Sequence, residues 1–206
     1  MRKKLVIAGK DLSEFGVVIN GDGAYNSAER DLEIISVEGR NGDLIVDKGR
    51  YRNVTVPYPI SIARNFRDNA AGLRAFLGGL RGYQRIEDSY HPNHFRMGYF
   101  TGPVDYAVGH LCRYGEATLK FICKPQRFLI SGEMVHIFRA PSKLYNATCE
   151  IAKPLITIYG YGTGTLTVGS ITVDILALED HVTLDCESMN AYRKADGGAV
   201  ENRNSI

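Results

Sequence analysis

The chain has no tryptophan, no long apolar run and no cysteine pair at close spacing, and each absence counts against a class of function. Sugar-binding surfaces lean on indole rings for stacking, and of the 206 residues none is Trp, although twelve are Tyr. No window approaches the roughly 18 consecutive apolar residues that a spanning helix needs. Cys112, Cys123, Cys149 and Cys186 are scattered without a C-x-x-C, so neither a zinc knuckle nor a dithiol redox motif is present. They read as reduced thiols that behave as small apolar side chains. A strong net charge is also lacking. The formal value of +2 is too small to argue for nucleic-acid binding. It conceals an asymmetry: residues 1–130 carry 19 Lys+Arg against 14 Asp+Glu, and residues 131–206 carry 6 against 9. The N-terminus, MRKKLVIAGKD, begins like an export signal. Its apolar run stops at Ala8, short of the ~7–15 residues an export segment uses, so it reads as a first strand of a protein assembled in a cytoplasm.

What is present is mostly strand. Apolar content of 44% and charge of 23% fit a globular chain. Short apolar runs lie at 3–8 and 15–19. LEIISV (32–37) leads through Glu38-Gly39-Arg40-Asn41-Gly42 to DLIV (43–46), then through Asp47-Lys48-Gly49 to YRNVTVPYPISI (51–62). One segment has helical spacing. In Asp68–Leu80 the apolar residues Leu73, Phe76, Leu77 and Leu80 fall at i, i+3, i+4 and i+7, with Asp68 or Asn69 placed to cap and Arg81 beyond the end. Residues 82–100 read as two strands around His91-Pro92-Asn93-His94, and 104–111 with 117–123 as a hairpin turning at Gly115-Glu116. That hairpin does not bring Cys112 next to Cys123. A boundary falls at Ser131-Gly132-Glu133. Beyond it come alternating strands, then a meander over 155–178 with glycine turns at 160–164 and Gly169, a turn at Glu179-Asp180, and a polar tail from 195 expected to pack poorly.

Candidate chemistry is thin. Gly160-Tyr161-Gly162-Thr163-Gly164 lacks the third spacing of a dinucleotide fingerprint and is followed by β-branched TLTV, not by a helix. Asp174, Glu179, Asp180, Asp185 and Glu187 invite comparison with a glycosidase pair, and Asp185 and Glu187 would share a strand face, as residues two apart on any exposed strand do. His91 and His94 supply two ligands at most, short of a closed metal site. Tyr145, Tyr159 and Tyr161 offer a stacking platform. No G-x-S-x-G, P-loop or H-E-x-x-H occurs. No catalytic residue, metal ligand or cofactor is therefore expected, and the chain reads as a non-enzyme.

Three motifs carry a resemblance. The run from the strand at 32–37 into Gly39-Arg40-x-Gly42-x-Leu44 and then Asp47-x-Gly49-x-Tyr51-x-Asn53 is similar to the start of the distal tail proteins of long-tailed phages of the siphovirus type. ATLKFICKPQRFL (117–129) resembles the strand that closes their N-terminal domain. KPLITIYGYGTGTLTV (153–168) resembles the opening of their C-terminal domain. The resemblance implies a mainly β protein with one helix. It would have an N-terminal β-sandwich-like ring domain over 1–130 and a C-terminal galectin-like or carbohydrate-binding-module-like antiparallel β-sandwich over 131–206, shortened at its end. It implies a structural virion protein at the tail tip: a homohexameric ring whose N-terminal domains surround the channel, joining the tail tube to the tail-associated or baseplate proteins that recognise the host. DNA would meet it only in transit, and no part would enter a membrane. A hairpin over 43–58, with arms LIV and VTV and tip DKGRYR, would pair with the neighbouring subunit. Tyr51 and Val54 would anchor that contact, while Arg50 and Arg52 would line the ring or meet acidic residues of the next protein. A free-standing carbohydrate-binding module is the alternative, and a hydrolase using the acidic strand residues a weaker third.

Overall fold

The computed structural model describes residues 3–21, 23, 25–109, 113–194 and 200–202, without the side chains of 201 and 202. The protein is mainly β, with one α-helix among the described residues, and its sheets are antiparallel in the manner of a β-sandwich-type fold. It divides into two compact units, Met1–Ile137 and Phe138–Ile206.

In the first unit, β1 (Leu5–Ile7), β2 (Lys10–Asp11) and β3 (Val17–Ile19) are followed by β4 (Arg30–Ile35), β5 (Leu44–Tyr51) and β6 (Val54–Ile62). Helix α1 spans Phe66–Gly79. Then come β7 (Gln84–Asp88), β8 (His94–Phe100), β9 (Ala107–Val108), β10 (Gly115–Cys123) and β11 (Phe128–Leu129). Nine of these strands form one sheet in the order β2-β1-β7-β8-β10-β6-β3, with β9 alongside β10 and β11 alongside β8.

The spine is β6 against β10, paired without interruption from Val54↔Cys123 to Ile62↔Gly115. Both strands alternate, so Val54, Val56, Tyr58, Ile60 and Ile62 face inward with Ala117, Leu119, Phe121 and Cys123. Pro57 and Pro59 occupy the other register. The carbonyl of Pro59 accepts the N–H of Asn20 and that of Thr55 accepts the side chain of Asn26. Odd-numbered residues of β6 thus turn their backbone groups away from β10, and the missing proline N–H groups cost that ladder nothing.

The helix begins two residues earlier than its spacing predicts. Asn65 adopts a left-handed conformation (φ 44°) at the cap, Phe66 is buried in the first turn, and Asp68 contributes only its charge there. Phe66, Ala70, Leu73 and Leu77 make the buried face, while Phe76 and Leu80 pack at its margin. Arg81 donates to the carbonyls of Gly78 and Leu80 at the helix end.

One glycine-based expectation is corrected here. Gly115 does not turn a hairpin; it lies in β10 opposite Val108. Any Cβ at 115 would run into the ring of Phe66, so this glycine exists for close packing. The strand expected over 104–111 is reduced to Ala107–Val108, and Cys112 falls outside the described residues. Gly98 plays a related role, since a Cβ there would lie 2.6 Å from the Cys123 sulfur.

The second unit is a sheet of β12 (Leu155–Val168), β13 (Ile171–Asp185), β14 (Asn190–Lys194) and β15 (Val200–Asn202), in that order. Ile175, Leu178 and Val182 form its buried cluster, with Ile158, Leu184 and Ala191 against them. Gly160–Gly164 is no turn. β12 runs through it with an irregular register between Gly162 and Gly164, and Gly162 supplies the positive φ of 98°. Glu179 and Asp180 likewise lie within β13, opposite Tyr161 and Gly160, and Asp180 absorbs the irregularity at φ 69°. The strands expected between 134 and 151 do not form, because alternating residues such as Val135 and Ile137 find no partner strand and stay exposed. In the polar tail Val200–Asn202 pairs with Tyr192–Lys194, and Val200 stays mostly exposed. Residues 195–199 and 203–206 lie outside the described residues.

Candidate assembly surface

β4 and β5 form a two-stranded sheet of their own, and Arg50, Tyr51 and Arg52, three of the four interface residues expected from sequence, lie at its base. The register is Glu33↔Val46, Ile34↔Ile45 and Ile35↔Leu44. The expected 43–58 hairpin is not formed. β5 pairs back onto β4 across the Gly39/Gly42 tip, whereas β6 joins the main sheet. Leu44, Ile45 and Val46 find their cross-strand partners at Ile35, Ile34 and Glu33, so Asp47-Lys48-Gly49 no longer has to reverse the chain. It is an irregularity inside β5, with Gly49 at φ 69° and its N–H donating to the Asp47 carboxylate at 2.8 Å.

Every residue from Glu33 to Asn53 is exposed. On one face Ile34 and Ile45 stand opposite each other, 63% and 61% exposed; on the other lie Ile35, Leu44 and Val46. A two-stranded hairpin is marginal in water by itself. One with apolar cross-strand pairs on both faces is a surface built to be covered.

The base of the hairpin is fixed by Asp31, a buried carboxylate on β4. Arg50 straddles one of its oxygens with Nε and Nη2 at 2.8 and 2.7 Å, and Arg52 straddles the other at 3.1 and 3.0 Å. The Arg50 and Arg52 guanidinium groups hold the Asp31 carboxyl below the usual carboxylate range. Both arginines keep most of their surface in solvent. Arg30 pairs with Asp47 at 2.6 Å and lies over the half-exposed Tyr51 ring. Val54 sits apart from these three, in the core of its own subunit opposite Cys123. Asp31 was missed in the sequence reading. The signal was an acid at an inward-facing strand position, answered by two arginines two residues apart.

The remaining polar groups singled out in the sequence have local roles. Asp185 ends β13 and accepts from the N–H of Glu187 and the hydroxyl of Ser188, so Asp185 and Glu187 share a turn and not a strand face. Glu179 lies 3.8 Å from Arg193. His91 contacts Asp88 through Nδ1 at 3.2 Å, and among the described residues no three acidic, His or Cys side chains gather as metal ligands. Tyr159 and Tyr161 are exposed on one face of β12, and His181 packs beside Tyr159 with ring centres 5.7 Å apart. Tyr145 is exposed in the strandless 138–154 segment.

No family model matches the sequence, and no curated protein is significantly similar to it. Among solved structures the chain is similar to SPP1 Dit (gp 19.1), described as a paradigm of the hub adsorption apparatus in phages infecting Gram-positive bacteria. The TM-score is 0.61 over 93% of this chain and 82% of that one, at 11% identity. At such identity the likeness is one of fold.

Proposed function

We propose that this chain is a structural protein of a phage tail, the distal hub at the tail tip. The observation that carries the reading is the fold likeness to SPP1 Dit over nearly the whole chain, together with the sequence motifs at 39–53 and 153–168. In this reading six copies close into a ring that joins the tail tube to the baseplate proteins responsible for host recognition. Residues 1–130 form the ring and residues 131–206 supply the galectin-like domain. DNA passes through without being held, and the protein performs no chemical step. The subunit contact is heterologous and closes after six copies. The β4–β5 hairpin serves it better than the 43–58 segment, since its apolar pairs are uncovered on both faces while Val54 is taken up by the core. Tyr51, Arg50 and Arg52 stand at the hairpin base beside that contact.

Light scattering and negative-stain imaging of the purified chain test the reading. The expected result is a particle of six-fold mass with ring projections. A chain that stays monomeric at every accessible concentration and joins no tail component overturns it. The exposed Tyr159 and Tyr161 favour one competing reading, a carbohydrate-binding module. A monomer retained on a glycan array through those two tyrosines would establish that reading instead.

A further inference from the structure

Between α1 and the segment before β9 lies a cleft of about 520 Å³ whose charged lining is Arg67, Arg74 and Asp105. Phe66 and Ala70 give it an apolar floor, Arg67 and Arg74 stand two helical turns apart on one wall, and Tyr106 closes the other. Tyr106 meets Phe66 edge-on at 5.4 Å, and its hydroxyl is buried with no hydrogen-bond partner among the described residues. Burial raises the Tyr106 pKa, which keeps the hydroxyl a donor, and Arg74 is near enough to oppose the rise. Both arginines are exposed, and neither forms an ion pair with Asp105 or any other described residue.

Two guanidinium groups and a hydroxyl line one space in which Asp105 is the only carboxylate and pairs with neither arginine, so the charge balance favours an anion as the missing partner. The apolar floor adds a second requirement, an aliphatic stem carrying the charge. A glutamate side chain meets both; a phosphodiester meets only the first. The chain offers such a group at the tip of the β4–β5 hairpin. Glu38 is exposed and unpaired among the described residues, and it follows the half-exposed Val37 in a tip turned by Gly39 (φ 75°) and Gly42 (φ 84°). We infer that the α1 cleft of one copy receives the Glu38 carboxylate of a second copy, held by Arg67, Arg74 and the Tyr106 hydroxyl while Val37 covers the floor. This rests on the ring assembly proposed above.

Charge exchange on the full chain tests the pairing by light scattering over a concentration series. Arg74→Glu and Glu38→Arg are each expected to weaken assembly about tenfold or more, the scale of one lost charge-assisted contact. The combined variant should recover most of that loss. All three should melt like the parent, because both positions are exposed. A parent that assembles and is unmoved by either single change overturns the pairing while leaving the ring intact. So does a combined variant no better than the worse single one. If Arg74→Glu leaves assembly unchanged but abolishes retention of short duplex DNA, the occupant is a phosphate and the inference is wrong. A parent that never assembles overturns the ring, and the pairing with it.

Discussion

The hydroxyl of Tyr58, in the middle of β6, donates to the carboxylate of Asp88 at the end of β7, 2.9 Å away. Tyr58 is 1% exposed and its ring meets Phe121 edge-on, so the donor side of this bond is anchored in the core of the first unit. Burial and the adjoining Asp88 carboxylate raise the Tyr58 pKa well above the ordinary phenol range, and the group stays protonated. Tyr58→Phe keeps the ring and removes the donor, leaving a mostly buried carboxylate short of one partner. We expect a loss of about 1–3 kcal/mol in urea denaturation, with no change in far-UV circular dichroism.

Acid should loosen the hairpin base before the rest of the sheet. The Asp31 pKa is held down by Arg50 and Arg52, so ionisation of Asp31 favours the folded form. That contribution is fully present above the unfolded carboxylate value of ~3.9 and disappears as the pH falls through the lower folded value. Amide exchange in β4 and β5 should accelerate over that window. Asp31→Asn should be destabilised at neutral pH and show little of this acid dependence; retention of the parent profile would exclude Asp31 as its source.

Packing at Gly115 should be visible as a coupled pair. Gly115→Ala places a methyl group on the Phe66 ring and should cost about 1–3 kcal/mol through overpacking. Phe66→Leu shrinks the obstacle, so in a double-mutant cycle the alanine should cost less in that background. Additive losses would show that the ring moves aside freely.

The exposed faces of the hairpin should matter for assembly and little for the fold. Ile34→Asp or Ile45→Asp replaces an apolar side chain already more than half in solvent, and the melting temperature should barely move. Ring formation measured by light scattering should be lost. A ring that survives both changes places the subunit contact elsewhere.

Elements with dense alternation were readable from sequence. In β6 and β10 every second residue is apolar, and Leu73 and Leu77 mark the core side of α1. Glycine was the main source of error, because one residue type serves three physical ends. At Gly39 and Gly42 it turns a chain, at Gly162 it accommodates an irregular register, and at Gly115 it makes room for a ring. Only the tertiary neighbours distinguish these uses. The partner of β5 was hidden for a similar reason: Leu44-Ile45-Val46 suits pairing with β4 or β6 equally, and the choice is made where Val54 enters the core. The α1 cleft was invisible because Tyr106 lies far along the chain from the helix that carries Arg67 and Arg74, and the three form no motif.

The two prolines of β6 bear on how such a molecule avoids building the wrong object. β3 covers only Ile60–Ile62, so the stretch from Val54 to Pro59 presents an open flank on that side. A flank of alternating N–H and C=O groups would accept a stray strand from any passing copy, and one such addition begets the next. Here two of the donors do not exist, and carbonyls at Thr55 and Pro59 are occupied by Asn26 and Asn20. The spine of the subunit is thereby sterile toward endless stacking. In the assembly proposed above, growth is left to the separate β4–β5 hairpin.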